Sequence, residues 1–259
     1  MTSRTACGFV LKVADHAESD KLVTLYSRES GRISGIAKGA KKSKRRFVNK
    51  LELFSLLQFS YRVPQLAGGL IFIEEAEIVS SFISLRNKYR WYVAATYIIE
   101  LVLCFSRDHD ADQDLFALIH WAVHALEYNQ HPGKVAALFH LKLLALSGYK
   151  PALEYCLGCQ KIVSPGYSYT LLASRGSLLC NLCAPGVLRD QARLSVQTLK
   201  IMASGQRYSL AQLQRLNLQE RTIAETLQSL HQYTLQLLQL DIRSWKSMYD
   251  VFCRHARSV

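Results

Sequence analysis

A chain of 259 residues, 49% of them hydrophobic, is long enough for two domains with sizeable cores. Thirty-two Lys and Arg against 20 Asp and Glu leave a formal net charge of +12, an excess that points to a polyanion, nucleic acid first. Met1 to Gly8 carries no apolar run of the signal-peptide kind. The most apolar stretch, Trp91 to Phe105, is interrupted by Glu100 and too short for a bilayer, and no basic amphipathic helix offers a membrane dock, so a cytoplasmic protein is expected.

The first eighty residues read as β-structure. Gly8 to Val13, Lys21 to Tyr26 and Arg32 to Gly39 are strand candidates, separated by polar turns at Asp15 to Asp20 and at Glu29-Ser30-Gly31. Glycines at 35 and 39 suggest a bend that lets a small barrel turn a corner. Leu53 to Tyr61 and Gly69 to Ala76 give the fourth and fifth strands, with a turn at Pro64 to Gly68. Five short strands with a long excursion between the third and fourth match an OB-fold barrel.

That excursion concentrates charge. From residue 32 to 62 there are nine basic side chains and a single acid, Glu52; seven of the nine fall within the 13 positions 38–50. A run without acids to pair it repels itself unless it meets a polyanion. Arg32, Lys38, Lys41, Lys42, Lys44, Arg45, Arg46 and Lys50 are therefore the candidate nucleic-acid contacts. Phe47, Phe54 and Phe59 are aromatic candidates for base stacking or, more simply, for the core.

From Phe82 the period changes to that of helices. Apolar residues recur at helical spacing over Leu85 to Phe105, over Leu115 to Leu126 and over Lys134 to Leu146, the last ending in a glycine cap at Ser147-Gly148. The run Asp108 to Asp114 resembles a calcium loop only superficially. Gln113 stands where glycine is needed and Ile119 where glutamate is needed, so an acidic helix start suffices. His120, His124 and Glu127 share a helix face but have no further ligand placed by the sequence.

Cys156-x2-Cys159 and Cys180-x2-Cys183 lie 20 residues apart. Each turn sets two sulfurs on one side of a tight loop, and the strand-prone Tyr167 to Leu172 supplies a hairpin between them. Together they complete a four-thiolate shell for structural Zn2+, with no position left open for water or substrate. Cys7, Cys104 and Cys253 are isolated and read as small apolar residues. Beyond the second pair, Leu194 to Ala203 and a long face through Ile223, Leu227, Leu230, Thr234 and Leu237 are helical, and Trp245 to His255 adds a last turn or two. The fold class is thus multidomain α+β: an N-terminal OB-fold barrel (1–80), then an α-helical domain (81–259) with a four-cysteine zinc ribbon inserted at about 152–188. No phosphate-binding glycine loop, nucleophile elbow or paired carboxylates appear, so a binding protein fits better than an enzyme.

Two blocks carry a family resemblance. The first is Gly8-Phe9-Val10-Leu11, Lys21 to Ser27, Glu29-Ser30-Gly31-Arg32 and Ala37-Lys38-Gly39-Ala40-Lys41-Lys42. The second is Leu146-Ser147-Gly148-Tyr149-Lys150-Pro151 leading to the first cysteine pair, then Gly176-Ser177-Leu178-Leu179 leading to the second. In this order they resemble the bacterial RecO family of recombination mediators, although family members often have Gly-Gly where this chain has Gly176-Ser177. The resemblance implies binding of single- and double-stranded DNA, annealing of complementary strands, and help in loading RecA onto DNA coated by single-strand-binding protein. It implies RecR and the acidic C-terminal tail of the single-strand-binding protein as partners, a possible link to RecF, and a nucleoid-associated cytoplasmic location. The competing expectations are an RNA-binding OB-fold protein with a zinc ribbon and a zinc-dependent nuclease; the closed thiolate shell speaks against the nuclease.

Overall fold

The computed structural model describes residues 3–64, 69–184 and 191–254. Residues 65–68 of the expected turn, 185–188 of the ribbon insertion and His255 of the tail lie outside the described residues. Five strands, β1 (Ser3–His16), β2 (Asp20–Ser27), β3 (Gly31–Ala37), β4 (Leu56–Arg62) and β5 (Ile71–Ser80), close into a barrel in the order β1-β2-β3-β5-β4. All neighbours are antiparallel except β3 and β5, which pair in parallel and complete the OB-fold topology. Alternation along each strand sends Val23, Leu25, Ile33, Ala37, Ile71 and Ile73 into one core. Gly35 permits the closure. A β-carbon there would come within 2.5 Å of the Ile71 side chain, so only glycine lets β3 approach β5 this closely.

Contacts divide the chain into two compact units, Met1–Tyr89 with Val102–Val123, and Arg90–Leu101 with His124–Val259. In the first unit the segment after α2 (Tyr89–Phe105) lies on the barrel. The Arg32 guanidinium donates to Asp108 Oδ1 at 2.6 Å and to the Leu103 carbonyl at 2.6 Å, and Asp112 N donates to the Tyr26 hydroxyl at 3.2 Å. Gly31 has φ +65°, and a β-carbon there would sit 2.0 Å from the Asp110 carbonyl oxygen. Asp112 Oδ1 accepts from Asp114 N (2.8 Å) and Leu115 N (3.0 Å), capping α3 (Gln113–Glu127). The acidic run is a helix cap and a strap across the barrel.

The second unit is built around α4 (Pro132–Leu146), which is buried along most of its length between α5 (Val196–Arg207) and α7 (Glu220–Leu238). Gly148 follows α4 at φ +82°, the expected glycine cap. His140, fully buried on α4, shares hydrogen bonds with the Tyr97 hydroxyl (3.0 Å) and the Thr234 hydroxyl (2.7 Å). Glu100 accepts from Arg243 N (2.9 Å) and Ser244 N (2.8 Å) ahead of α8 (Trp245–Phe252). The short α1 (Ile83–Asn87) and α6 (Leu210–Leu213) complete the helices, and β6 (Tyr169–Leu172) and β7 (Ser177–Cys180) form an antiparallel hairpin. Among the described residues no helix is long and apolar enough to cross a membrane.

Candidate nucleic-acid interface and metal centre

The β6–β7 hairpin delivers Cys180 at its end, and the preceding loop brings Cys156 and Cys159 alongside. Each C-x2-C closes as a turn, Gln160 N donating to the Cys156 carbonyl (2.9 Å) and Cys183 N to the Cys180 carbonyl (3.0 Å). All four Sγ atoms lie within 4.8 Å of one another. Sulfurs around a tetrahedral ion at about 2.3 Å are about 3.8 Å apart, so the four need only a small contraction to close on one. Gly158 makes the turn possible, since a β-carbon there would come within 2.8 Å of Cys183 Cβ.

The electrostatics fit a cation. Burial raises the Cys156 thiol, but backbone N–H groups of Cys159, Cys180 and Gly158 outweigh it and bring the pKa down to about 6. Cys183, hydrogen-bonded first to Cys180, is pushed up to about 12. By itself the shell therefore favours a thiolate at Cys156 and resists one at Cys183. A divalent ion lets all four ionise and bind it. Among the described residues this is the one cluster of three or more side chains suited to hold a metal.

The basic excursion hangs from the barrel at both ends. Gly39 turns at φ +69°, Ala40–Lys42 forms a single 3-10 turn, and Phe47 and Leu51 plug into the barrel core. At the neck, Asp20 Oδ1 accepts from Gly39 N (2.8 Å) and the Ser19 hydroxyl (3.0 Å), donors that hold its carboxyl below the usual range. Lys41 N donates to the Ser19 carbonyl at 2.9 Å.

The eight candidate cations separate into three groups. Arg32 and Lys50 are committed to the fold: Arg32 holds the Asp108 strap, and Lys50, its side chain only 15% exposed, pairs with Glu77 at 2.8 Å. Lys38, Lys41 and Arg46 are exposed but engaged. Lys41 meets Asp15 at 3.2 Å, Arg46 donates to the Glu74 and Lys38 carbonyls, and Lys38 Nζ sits 4.9 Å above the Phe72 ring. Lys42, Lys44 and Arg45 are exposed, and among the described residues their side chains make no hydrogen bond or ion pair. These three form the uncommitted tip.

The aromatic candidates change. Phe47, Phe54 and Phe59 are 3%, 1% and 2% exposed, all sealed in the interior, where none can meet a base. Phe72, overlooked in the sequence, faces outward on β5; its phase is opposite to that of buried Ile71 and Ile73, which is the signal that identifies it. On the second unit, a cavity of about 550 Å³ lies beside the ribbon, lined by Tyr167, Leu194, Val196, Arg193 and Arg221. Arg221 is paired with Glu225 at 2.9 Å, whereas Arg193 is exposed.

A closed OB barrel bearing a cation-rich loop, in one chain with a helical unit that carries a four-cysteine ribbon, defines a class of basic nucleic-acid-type scaffolds with a cysteine cluster suited to a metal. Family profiles make the class specific: Recombination protein O N terminal matches residues 1–82 and Recombination protein O C terminal matches residues 86–246. The chain belongs to the RecO family. It is 31% identical over 249 residues to the DNA repair protein RecO of Syntrophus aciditrophicus, covering 94% of each chain. It is 37% identical over 180 residues to that of Syntrophobacter fumaroxidans (69% of this chain, 70% of the relative) and 27% over 240 residues to that of Halalkalibacterium halodurans (92% and 91%).

Proposed function

We infer that this protein is a DNA repair and recombination mediator. It binds single- and double-stranded DNA, anneals complementary strands and, with RecR, assists RecA loading onto DNA coated by single-strand-binding protein. The observation that carries this reading is the tip formed by Lys42, Lys44 and Arg45, three exposed cations free of internal partners on a loop anchored at both ends. Annealing breaks no covalent bond; it needs cations that offset phosphate repulsion between two strands. Each phosphate neutralised releases counterions, so binding weakens steeply with salt. Lys38, Lys41 and Arg46 extend the same surface by exchanging their internal partners for phosphate.

The metal is structural Zn2+, which four thiolates in a closed shell suit better than any hard cation. When bound it supplies cross-linking of the ribbon and no open coordination site for chemistry. The cavity beside the ribbon sets exposed Arg193 beside Leu194 and Val196, with Glu225 occupied by Arg221, a combination that supports it as the place for the acidic tail of single-strand-binding protein. RecR and RecA, with RecF as a further functional link, complete the partners, in the cytoplasm at the nucleoid.

The test is ATP-free annealing of complementary oligonucleotides by wild type and by the K42A/K44A/R45A variant. The variant is expected to anneal at least tenfold more slowly while keeping its melting temperature; unchanged annealing overturns the assignment. Competition between single-stranded DNA and RNA of equal length is expected to favour DNA, and a strong RNA preference would replace the mediator with an RNA-binding protein.

A further inference from the structure

Phosphate contacts alone do not tell a single strand from a duplex; contacts to exposed base faces do. Across the outside of the barrel, strand registers align one row of side chains. Ala14 lies opposite Leu22, Leu22 opposite Ile36, Ile36 opposite Phe72, and Phe72 opposite Arg62. Their sequence neighbours Val23, Ala37, Ile71 and Ile73 point into the core, so the pleat turns this row outward. Leu22, Ile36 and Phe72 are half-buried: they form an apolar strip that the chain does not seal.

The strip is bordered by positive charge. Lys38 Nζ lies 4.9 Å from the centroid of the Phe72 ring, and Arg46 donates to the Lys38 carbonyl at 3.2 Å. Arg62 ends the row, paired with Glu74, whose other oxygen accepts from the Ser3 hydroxyl at 2.8 Å. Between Lys38 and Arg46 in sequence lie Lys42, Lys44 and Arg45, whose side chains are free. An aromatic face attracts a cation through its quadrupole and a nucleobase through stacking, so the place where Lys38 rests is one a base can take.

We propose that Phe72, flanked by Ile36 and Leu22, is a base-stacking platform selective for single-stranded DNA, with Lys38 as its phosphate contact; the proposal rests on the DNA-binding reading above. As a base stacks, the Lys38 ammonium leaves the ring and pairs with the adjoining phosphate. A duplex keeps its base faces stacked on one another and touches only the cations. The protein therefore holds unpaired strands by two kinds of contact and duplex by one, and an annealed product is bound less tightly than its separated strands.

The experiment is fluorescence anisotropy of single-stranded and duplex oligonucleotides of equal length across a salt series. It uses wild type, Phe72→Leu, Phe72→Tyr and K42A/K44A/R45A, each checked by thermal melting. Phe72→Leu, which keeps apolar volume without the ring, is expected to weaken single-strand binding about tenfold. Its salt slope and duplex affinity are expected to match wild type, and Phe72→Tyr to restore single-strand affinity. The triple variant is expected to weaken both ligands and flatten both slopes. Equal effects of Phe72→Leu on the two ligands, or none on either, overturn the platform while leaving the DNA-binding reading in place if the triple variant behaves as expected. A triple variant without effect removes that reading as well.

Discussion

Arg32 shows how a cation in a basic stretch can be held by the fold. It lies in the basic stretch, yet its guanidinium is spent on Asp108 and the Leu103 carbonyl, within the unit that contains the barrel. Arg32→Ala is therefore expected to cost on the order of 2 kcal/mol of stability, as loss of a charge-assisted hydrogen bond does. Urea melts measure that cost, while the salt slope of DNA binding in the same variant should equal that of wild type; a flatter slope would place Arg32 on the DNA. Such partitioning is invisible in sequence, because Asp108 lies 76 residues away and nothing local pairs it with Arg32. The cysteines were legible for the opposite reason: their chemistry is fixed by local spacing, and each C-x2-C needs only its own turn. Gly158 belongs to that local logic. Gly158→Ala pushes a methyl group against Cys183, and metal affinity, read by competition with a chromophoric chelator, should fall about 10- to 100-fold, the usual cost of disturbing the groups that position ligands.

At the scale of elements, the helices and strands were legible by period, and their ends by glycine and acidic caps. Glu100 was legible only as an interruption. Inside an apolar helix it reads as a defect, and the reason for it, two backbone N–H groups at Arg243 and Ser244, lies far along the chain. The helical core holds a second feature of this kind. Burial first, and the neighbouring His231 second, push His140 down to about 3, and burial pushes His231, stacked on Trp245 at 3.9 Å, down to about 4. An unfolded imidazole titrates near about 6.5. Both folded values lie below it, so the unfolded chain takes up protons that the folded chain refuses. The stabilisation is complete above about pH 6.5 and is lost as pH falls toward 4 and then 3, at up to about 1.4 kcal/mol per pH unit for each histidine. Urea midpoints followed by tryptophan fluorescence should drop clearly from pH 7 to pH 5. The drop should shrink in His231→Gln, and equal midpoints at the two pH values would show that these rings are not the groups that titrate.

For the molecule as a whole, the 32 Lys and Arg side chains overstate the number of cations DNA can use. Lys50 is neutralised by Glu77, and Lys134 and Lys142 donate to backbone carbonyls at Gln214 and Gln206. With Lys38, Lys41, Arg46 and the three tip cations as phosphate contacts, single-strand binding should lose affinity with a slope of about −4 in log K against log salt. Metal removal should separate the two halves of the protein's work. The cysteines and the helices around α4 belong to one compact unit, and the barrel with its basic loop belongs to the other. Folding energy supplied by an ion reaches the unit whose loops it ties together. A strong chelator is expected to release one zinc per chain and to lower the thermal transition of the helical unit. The barrel transition and the affinity for short single strands should stay within about twofold of the untreated protein. Calorimetry and anisotropy on the same sample test this division. If Cys180→Ser leaves both transitions in place yet abolishes DNA binding, the ribbon is part of the interface and the barrel is not its sole carrier.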